Sequence, residues 1–310
     1  MSKKIIFMGT PLFAVPILKS LYQNGYPISV VYTQPPQKSH RGQKINKSPV
    51  QGISETLNLD YRLPHSLKDN EDEYNFLKNL NADLAIVVAY GQIIPKEYLG
   101  LTKKGFVNIH GSILPKWRGA APIQRSIMNL DKETGITFMK IAEKLDSGPI
   151  SNIYKINIDQ NKNAQEISEQ LSIIAAEKVL DNVDDILEDK VKFYEQDHLK
   201  ATYAKKIDKS EGQILWNDNA SKIIGKINGL FPAPGAFFSF NGERYKILKA
   251  EIGNGVGKIG EVISDKLEIV CKNNQSIKIL EIQRQGKRSQ KIGEFMLGSQ
   301  IKKGSIITNV

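Results

Sequence analysis

Four short apolar runs fall within the first 110 residues: KIIFMG (4–9), ISVVYT (28–33), DLAIVVA (83–89) and GFVNIH (105–110). Each is continuous rather than alternating, the pattern of a strand buried on both faces. Between them lie FAVPILKSLYQNG (13–25), SPVQGISETLN (48–58) and NEDEYNFLKNL (70–80), which carry helical patterns. Strand–helix alternation of this kind restricts the chain to an α/β architecture: a Rossmann-like, mostly parallel sheet with helices on both faces. GITFMKI (135–141) predicts a further strand, GPISNIYKINI (148–158) an edge strand, and AQEISEQLSIIAAEKVLDNVDDILED (164–189) a long amphipathic helix that closes a first domain, 1–189.

From 190 the pattern changes. Residues 190–207 are polar and charged, as a linker would be. Short β-rich runs follow (GAFFSF, RYKILKAEI, GKIGEVIS, LEIVCK, SIKILEI, GSIITNV), separated by Gly, Asn and Asp turns. Closely spaced short strands over 208–310 predict a small OB-like β-barrel domain.

Charge narrows the range of partners. The net charge is +10, and residues 1–54 contain no Asp or Glu. Lys38, Arg41, Lys44 and Lys47 crowd into a basic insertion loop, 34–49, and Arg284, Lys287, Arg288 and Lys291 form a second cluster. Two basic regions point to a polyanion, since phosphates attract at long range without sequence reading, although a lysine-rich composition serves solubility too. The single cysteine, Cys271, leaves no internal disulfide and no Cys-rich metal site. No apolar run approaches the roughly 20 residues that span a bilayer, and the N-terminus lacks signal and transit patterns. A cytoplasmic protein with no membrane partner is expected.

In an open parallel sheet, ligands gather at the C-terminal ends of the strands. GTPLFA, AYGQIIP and NIHGSILP all follow predicted strands and converge there. None is a GxGxxG fingerprint, and no GxxxxGK[ST] phosphate loop occurs in the chain. In NIHGS, Asn108 and His110 are two residues apart and project to one side of an extended segment. An amide donor beside an imidazole suits polarising a carbonyl and moving a proton. Asp146, in KLDSGPI, supplies an acid to orient the imidazole or stabilise its charged form. Taken singly, each has a structural reading: Asn108 as a backbone partner, His110 as a satisfied core histidine, Asp146 as a turn residue. Placement of all three after strands of one sheet favours a site.

NIHGSILPKWRGAAPIQRSIM and the following TGITFMKIAEKLDSGPI closely resemble the folate-dependent formyltransferases. FMGTPLFAVPIL, RGQKINKSPV, AYGQIIP, KIDKSEGQILWNDNA and FPAPGAFF extend the resemblance over almost the whole chain, toward the branch that acts on methionyl initiator tRNA. The resemblance implies a catalytic set of Asn108, His110 and Asp146 and a folate-contacting loop of Ser112, Ile113, Leu114 and Pro115. It also implies a pterin slot along 89–95 with Tyr90, Gly91 and Ile94. The expected reaction moves the formyl group of 10-formyltetrahydrofolate to the amino group of methionine on initiator Met-tRNA. Folate is then a substrate, with no tightly bound cofactor and no metal, and the enzyme is expected to be monomeric. The basic loop would enter the acceptor arm, with Arg41 at its end; Lys38, Lys44 and Lys47 would support it, and Arg284, Lys287 and Arg288 would serve the second domain. One departure is FPAPGAFF, which lacks the aromatic of an NPWPGA-type segment around Ala233.

The other residues read as structural. Cys271, flanked by Ile and Val, is expected in a core, Trp216 against the barrel, and Trp117 in the wall or turn of the folate loop. His40, His65 and His198 show no partner in sequence. Two kinds of rival remain. One is another formyltransferase: a purine-pathway enzyme leaves 208–310 without a use, and a sugar-nucleotide enzyme leaves the basic loop without one. The other is a non-catalytic RNA-binding protein of the same fold.

Overall fold

The computed structural model describes residues 3–38 and 45–308. In chain order the first part supplies β1 (Ile5–Gly9), α1 (Val15–Gln23), β2 (Ile28–Tyr32), β3 (Gln37–Lys38), β4 (Ile45–Asn46), α2 (Pro49–Thr56), β5 (Tyr61–Arg62), α3 (Glu71–Leu80), β6 (Leu84–Val88), β7 (Phe106–His110) and β8 (Arg118–Gly119). Then come α4 (Pro122–Met128), β9 (Glu133–Lys140), β10 (Ile150–Asn157), α5 (Ala164–Leu187) and β11 (Tyr203–Ala204). The remainder is α6 (Ala220–Gly229), β12 (Ala236–Phe240), β13 (Glu243–Gly253), β14 (Glu268–Cys271), β15 (Gln275–Arg284), β16 (Ser289–Lys291) and α7 (Ile292–Leu297).

The chain divides into two compact units. The first comprises Met1–Gly119, Gly135–Ile156 and Ser168–Tyr203, and the second Ala120–Thr134, Asn157–Ile167 and Ala204–Val310. The sequence places the change of domain across 190–207. In space, residues up to Tyr203 stay with the first unit, and the second also takes the α4 segment.

The first unit is built on a seven-stranded sheet of order β10-β9-β7-β6-β1-β2-β5. β1 pairs in parallel with β2 and β6, β6 with β7, and β2 with β5, while β9 runs antiparallel to β7. Residues of β1 and β6 are buried throughout, as continuous apolar runs require. Period-two alternation sends Ile6, Met8, Ala85 and Val87 into one core with Leu77 of α3, Tyr90 and Tyr98. Ile5, Phe7, Ile86 and Val88 face the opposite way and are equally buried. On the helical side α1 and α5 are stitched together, Ser20 Oγ donating to Ala176 O (2.6 Å) and Ser172 Oγ to Phe13 O (2.8 Å).

Local signals start and stop these helices. Ser48 caps α2, accepting from Gln51 N, with Pro49 in the first turn. Asn70 caps α3, and Glu71, Asp72 and Glu73 sit in its first turn, where the helix dipole favours negative charge. Asn81 then ends α3 in the left-handed region, at φ 48°.

In the second unit β12, β13, β15 and β14 form an antiparallel sheet, with β16 added against β15. Register shifts between Ile247 and Ala250 bend β13, and the sheet curls as a half-barrel around Trp216, Phe238, Tyr245, Ile269, Ile279, Ile282 and Phe295. Trp216 is a core residue of this unit, edge-on to Phe238 at 5.9 Å, and Cys271 lies in the same core. Helix α4 packs on α6 because Gly225 and Gly229 allow it. A Cβ at Gly229 would lie 2.5 Å from Met128 Cγ, and one at Gly225 2.8 Å from Leu130 Cδ2. Arg125 of α4 holds Glu211 with two hydrogen bonds, at 2.6 and 3.0 Å, and also donates to Lys205 O and Lys206 O. These contacts place α4 with the second unit.

Candidate active site

The order of strands in the first unit reverses between β1 and β6: the chain goes from β1 outward to β2 and β5, then returns to β6 and β7. Beyond the carboxyl ends of β1, β6 and β7 lies the crevice where such sheets take ligands. Thr10, just past β1, ties the loops together: its Oγ1 donates to Tyr90 O (2.7 Å) and accepts from Gln34 N (3.4 Å).

Asn108 and His110 occupy alternate positions of β7, opposite Met139 and Thr137 of β9. Among the described residues the Asn108 carboxamide has no protein hydrogen-bond partner, although its neighbours on the strand are buried. It is an uncommitted donor on an interior strand, between Val87 of β6 and Met139 of β9. His110 is 6% exposed. Its Nε2 lies 3.0 Å from Trp117 O, which can only accept, so Nε2 carries a proton. Its Nδ1 faces Asp146 Oδ2 at 3.6 Å, an ion-pair distance beyond a hydrogen bond. Asp146 Oδ2 accepts from Gly119 N at 2.8 Å, and its Oδ1 has no protein partner among the described residues. All three sequence-predicted residues thus come to one place, an imidazole between a carbonyl and a carboxylate beside a free amide.

The loop between β7 and β8 is folded by its own polar groups. Ser112 Oγ closes the turn onto Lys116 O (2.6 Å), and Thr137 Oγ1 donates to Ser112 O (2.6 Å) while accepting from Leu114 N (3.1 Å). Ser112 and Leu114 are buried, so of the four loop residues 112–115 only Ile113 and Pro115 keep part of their surface accessible. The Leu114–Pro115 bond is cis, and Trp117 has φ 63°. Along 89–95, Tyr90 and Ile94 join the core, whereas Ala89 (φ 47°) and Gly91 (φ 83°) turn exposed main chain outward. A Cβ on Gly91 would meet Gln34 Nε2 at 2.4 Å. The Tyr90 hydroxyl is buried without a hydrogen-bond partner, and burial with the nearby Glu73 charge holds its proton on well above the usual range.

The basic candidates fare differently. Arg41 and Lys44 lie outside the described residues, and of Lys38 only the backbone is described, in a two-residue ribbon with β4. Lys47 is bound to Glu55 at 2.8 Å. Arg284 is paired with Glu243, while Lys287 and Arg288 are exposed at the turn around Gly286. In the departing segment FPAPGAFF, Phe231–Pro232 and Ala233–Pro234 are both cis.

Sequence reasoning missed three residues that build the site. Thr137 is signalled only by its register opposite His110. Arg118 and Gln196 are 3% and 4% exposed and bonded to each other, Gln196 Oε1 accepting from Nε (3.0 Å) and Nη2 (2.7 Å). Arg118 Nη2 also lies 2.9 Å from His198 Nδ1, a partner that the sequence does not reveal. Gln196 sits in a polar stretch that composition marks as linker, so no pattern announces it.

With this geometry in view, the comparisons with known proteins are specific. The formyl transferase family profile matches residues 3–215, and the profile of the formyl transferase C-terminal domain matches 206–300. The chain belongs to the formyl transferase family. It is 69% identical to the methionyl-tRNA formyltransferase of Pelagibacter ubique (strain HTCC1062) over 310 residues, covering all of both chains. It is 39% identical to that of Chelativorans sp. (strain BNC1), covering 99% of this chain and 100% of the other. Among solved structures, the sugar 3N-formyl transferase WlaRD, crystallised with dTDP and 5-N-formyl-THF, shares the fold at a TM-score of 0.69 and 19% identity, over 93% of this chain and 100% of that one. HypX from Aquifex aeolicus, solved with tetrahydrofolic acid, aligns at a TM-score of 0.65 and 15% identity, over 100% of this chain and 51% of that one. Both likenesses bear on the fold of the family. No helix among the described residues is long and apolar enough to cross a membrane.

Proposed function

We propose that this protein transfers the formyl group of 10-formyltetrahydrofolate to the α-amino group of methionine on initiator Met-tRNA, acting as a cytoplasmic monomer. The observation that carries the reading is the full-length match to methionyl-tRNA formyltransferases, set beside an unpartnered Asn108 amide next to the His110–Asp146 pair.

In this reading the neutral amine of the methionyl group attacks the formyl carbon. A C–N bond forms and the carbonyl oxygen becomes an oxyanion. Asn108 donates to that oxygen, and a preorganised donor of this kind is worth about 10²- to 10³-fold in kcat. Nε2 of His110 is committed to Trp117 O, so His110 in its protonated form acts through its charge rather than as a direct donor to the oxyanion. Asp146 Oδ1, the free carboxylate oxygen, accepts the proton that the attacking amine loses. Collapse of the tetrahedral species breaks the bond to folate N10, which takes that proton as it leaves. The products are formylmethionyl-tRNA and tetrahydrofolate. Gly91 and Ala89 supply main-chain groups to the pterin, and Ile113 and Pro115 its apolar wall. The acceptor arm is met by the basic loop with Lys38, Arg41, Lys44 and Lys47, and by Lys287 and Arg288 of the second unit.

The test is formyl transfer from 10-formyltetrahydrofolate to initiator Met-tRNA, elongator Met-tRNA and free methionine, with wild type, Asn108→Ala and Arg41→Ala. Strong preference for the initiator, lost turnover in Asn108→Ala and weakened preference in Arg41→Ala are expected. Transfer to none of the three would remove the acceptor assignment, and near-normal turnover of Asn108→Ala would remove the oxyanion role.

A further inference from the structure

Asp146 holds a conformation that a non-glycine residue adopts at a cost of about 1–3 kcal/mol and only when its surroundings fix it: its φ is 45°. Four bonds that involve side chains fix this turn. Gly119 N holds the carboxylate at Oδ2 (2.8 Å), and Ser147 Oγ donates to Lys144 O (2.8 Å). The other two come from one side chain 50 residues further along, Gln196, whose Nε2 donates to Asp146 O (3.0 Å) and to Gly148 O (2.8 Å). Both protons of the amide are therefore spent on the two carbonyls that bracket Ser147.

The orientation of that amide is not arbitrary. Its oxygen accepts from Arg118 Nε and Nη2. Flipped, it would set an oxygen against two carbonyls and an NH₂ group against a guanidinium, losing all four bonds. Arg118 is itself nearly inaccessible, and among the described residues it forms no ion pair; its side chain is met by the Gln196 oxygen and His198 Nδ1. A buried cation without a carboxylate is a poor arrangement for stability. It makes sense for function: a direct Arg118–Asp146 pair would occupy the carboxylate, whereas an interposed amide fixes the turn and leaves Oδ1 open.

We propose that Gln196, locked in orientation by Arg118, is the positioning residue that holds Asp146 against His110 for formyl transfer. It touches neither substrate nor reacting atoms, and the inference rests on the reading of Asp146 as part of the catalytic set.

The experiment is a double-mutant cycle on the full chain, reading kcat and KM for folate donor and tRNA separately. It uses Gln196→Leu, Asp146→Ala and the double variant. Gln196→Leu is expected to lower kcat by about 10- to 100-fold, the scale of a misplacement near 1 Å, with both KM values within about threefold of wild type. In the Asp146→Ala background the same substitution is expected to cost less than about twofold, because the group it positions is gone. Gln196→Glu guards against misfolding. It keeps the acceptor for Arg118, now with charge, but sets an oxygen against the two carbonyls and cannot donate to them. It is therefore expected to lose kcat as Gln196→Leu does, with both KM values near wild type showing that the chain has folded. Full kcat in either Gln196 variant, or losses that simply multiply in the double variant, would overturn the positioning role. Wild-type turnover in Asp146→Ala alone would instead overturn the catalytic assignment beneath it.

Discussion

Gly148 has no room for a methyl group. An ideal Cβ there would lie 1.9 Å from Lys140 O and 3.3 Å from Ala142 Cβ. A carbon and a carbonyl oxygen approach no closer than about 3.3 Å without strain, leaving a shortfall of about 1.4 Å for Gly148→Ala. Lys140 cannot give way easily, since it ends β9, is paired in register with Val107 of β7, and donates its N–H to Pro149 O (2.9 Å). The 146–149 turn must therefore move, carrying Asp146 away from a His110 contact already at 3.6 Å. Two effects follow, of different size. Overpacking of this kind costs about 1–3 kcal/mol of stability, while displacement of a catalytic group by about 1 Å costs about 100-fold in rate. Gly148→Ala is thus predicted to fold, with a lowered thermal midpoint, and to lose about two decades of kcat in formyl transfer. Gly52→Ala is the control: it lies within α2, its Cβ would meet nothing within 4 Å, and the substitution should stabilise by about 1 kcal/mol at full kcat. Gly148→Ala with wild-type kcat would refute the argument, because it would mean that the turn can move without consequence.

Three further outcomes are expected. Glu73 binds the Tyr32 hydroxyl (2.6 Å) and Arg62 Nε (2.7 Å), so Glu73→Ala should cost about 2–3 kcal/mol in urea unfolding, less than a fully buried pair because Arg62 is partly exposed; Glu73→Gln, which keeps an acceptor, should cost less. Burial pushes the Cys271 thiol up from 9.0 to about 11. The folded-state value is the higher one, so this contribution to stability is full below pH 9 and is lost as pH rises through about 11; Cys271→Ala should lack that part of the pH dependence, and native Cys271 should resist iodoacetamide at about pH 8.5, near the ordinary thiol value. Glu55 competes with any phosphate for Lys47, so Glu55→Gln should tighten tRNA binding and steepen its log–log salt dependence by about 0.7–0.9, one further phosphate contact; an unchanged slope would exclude Lys47 from the interface.

The elements that sequence made legible are those whose signal is local. Continuous apolar runs gave the parallel strands because a strand buried on both faces needs no polar alternate residues. The helical patterns 48–58 and 70–80 begin at Ser48 and Asn70, which the fold shows to be the caps of α2 and α3. Asn108 and His110 were readable as a pair because two-residue spacing places them on one side of β7. The basic tract around Lys47 was visible, but not that Glu55 occupies Lys47, nor that Glu243 occupies Arg284. Those partners lie on other elements, and pairing depends on register. The same holds for α4: nothing local sends Pro122–Met128 to the second unit, because what attracts it is the flat Gly225–Gly229 face of α6. Gln196 illustrates the limit best. A buried amide inside a polar tract looks like its exposed neighbours until the chain is folded.

Asp146 depends on a residue synthesised long after it. The strands of the first sheet, and α5 behind them, are complete by residue 187, but the clamp on the 146–148 turn comes from Gln196, 50 positions beyond Asp146. At about 5–20 residues per second, that gap amounts to about 3–10 s of translation. Only late in that interval, once residue 187 has been made, does a nascent chain own the sheet, the histidine and the aspartate, still without the two Gln196 bonds to the 146–148 turn. A fragment cut at 189 would lack those bonds permanently, whereas one that runs through the strand at Tyr203 carries both Gln196 and the segment that pairs with Arg118–Gly119.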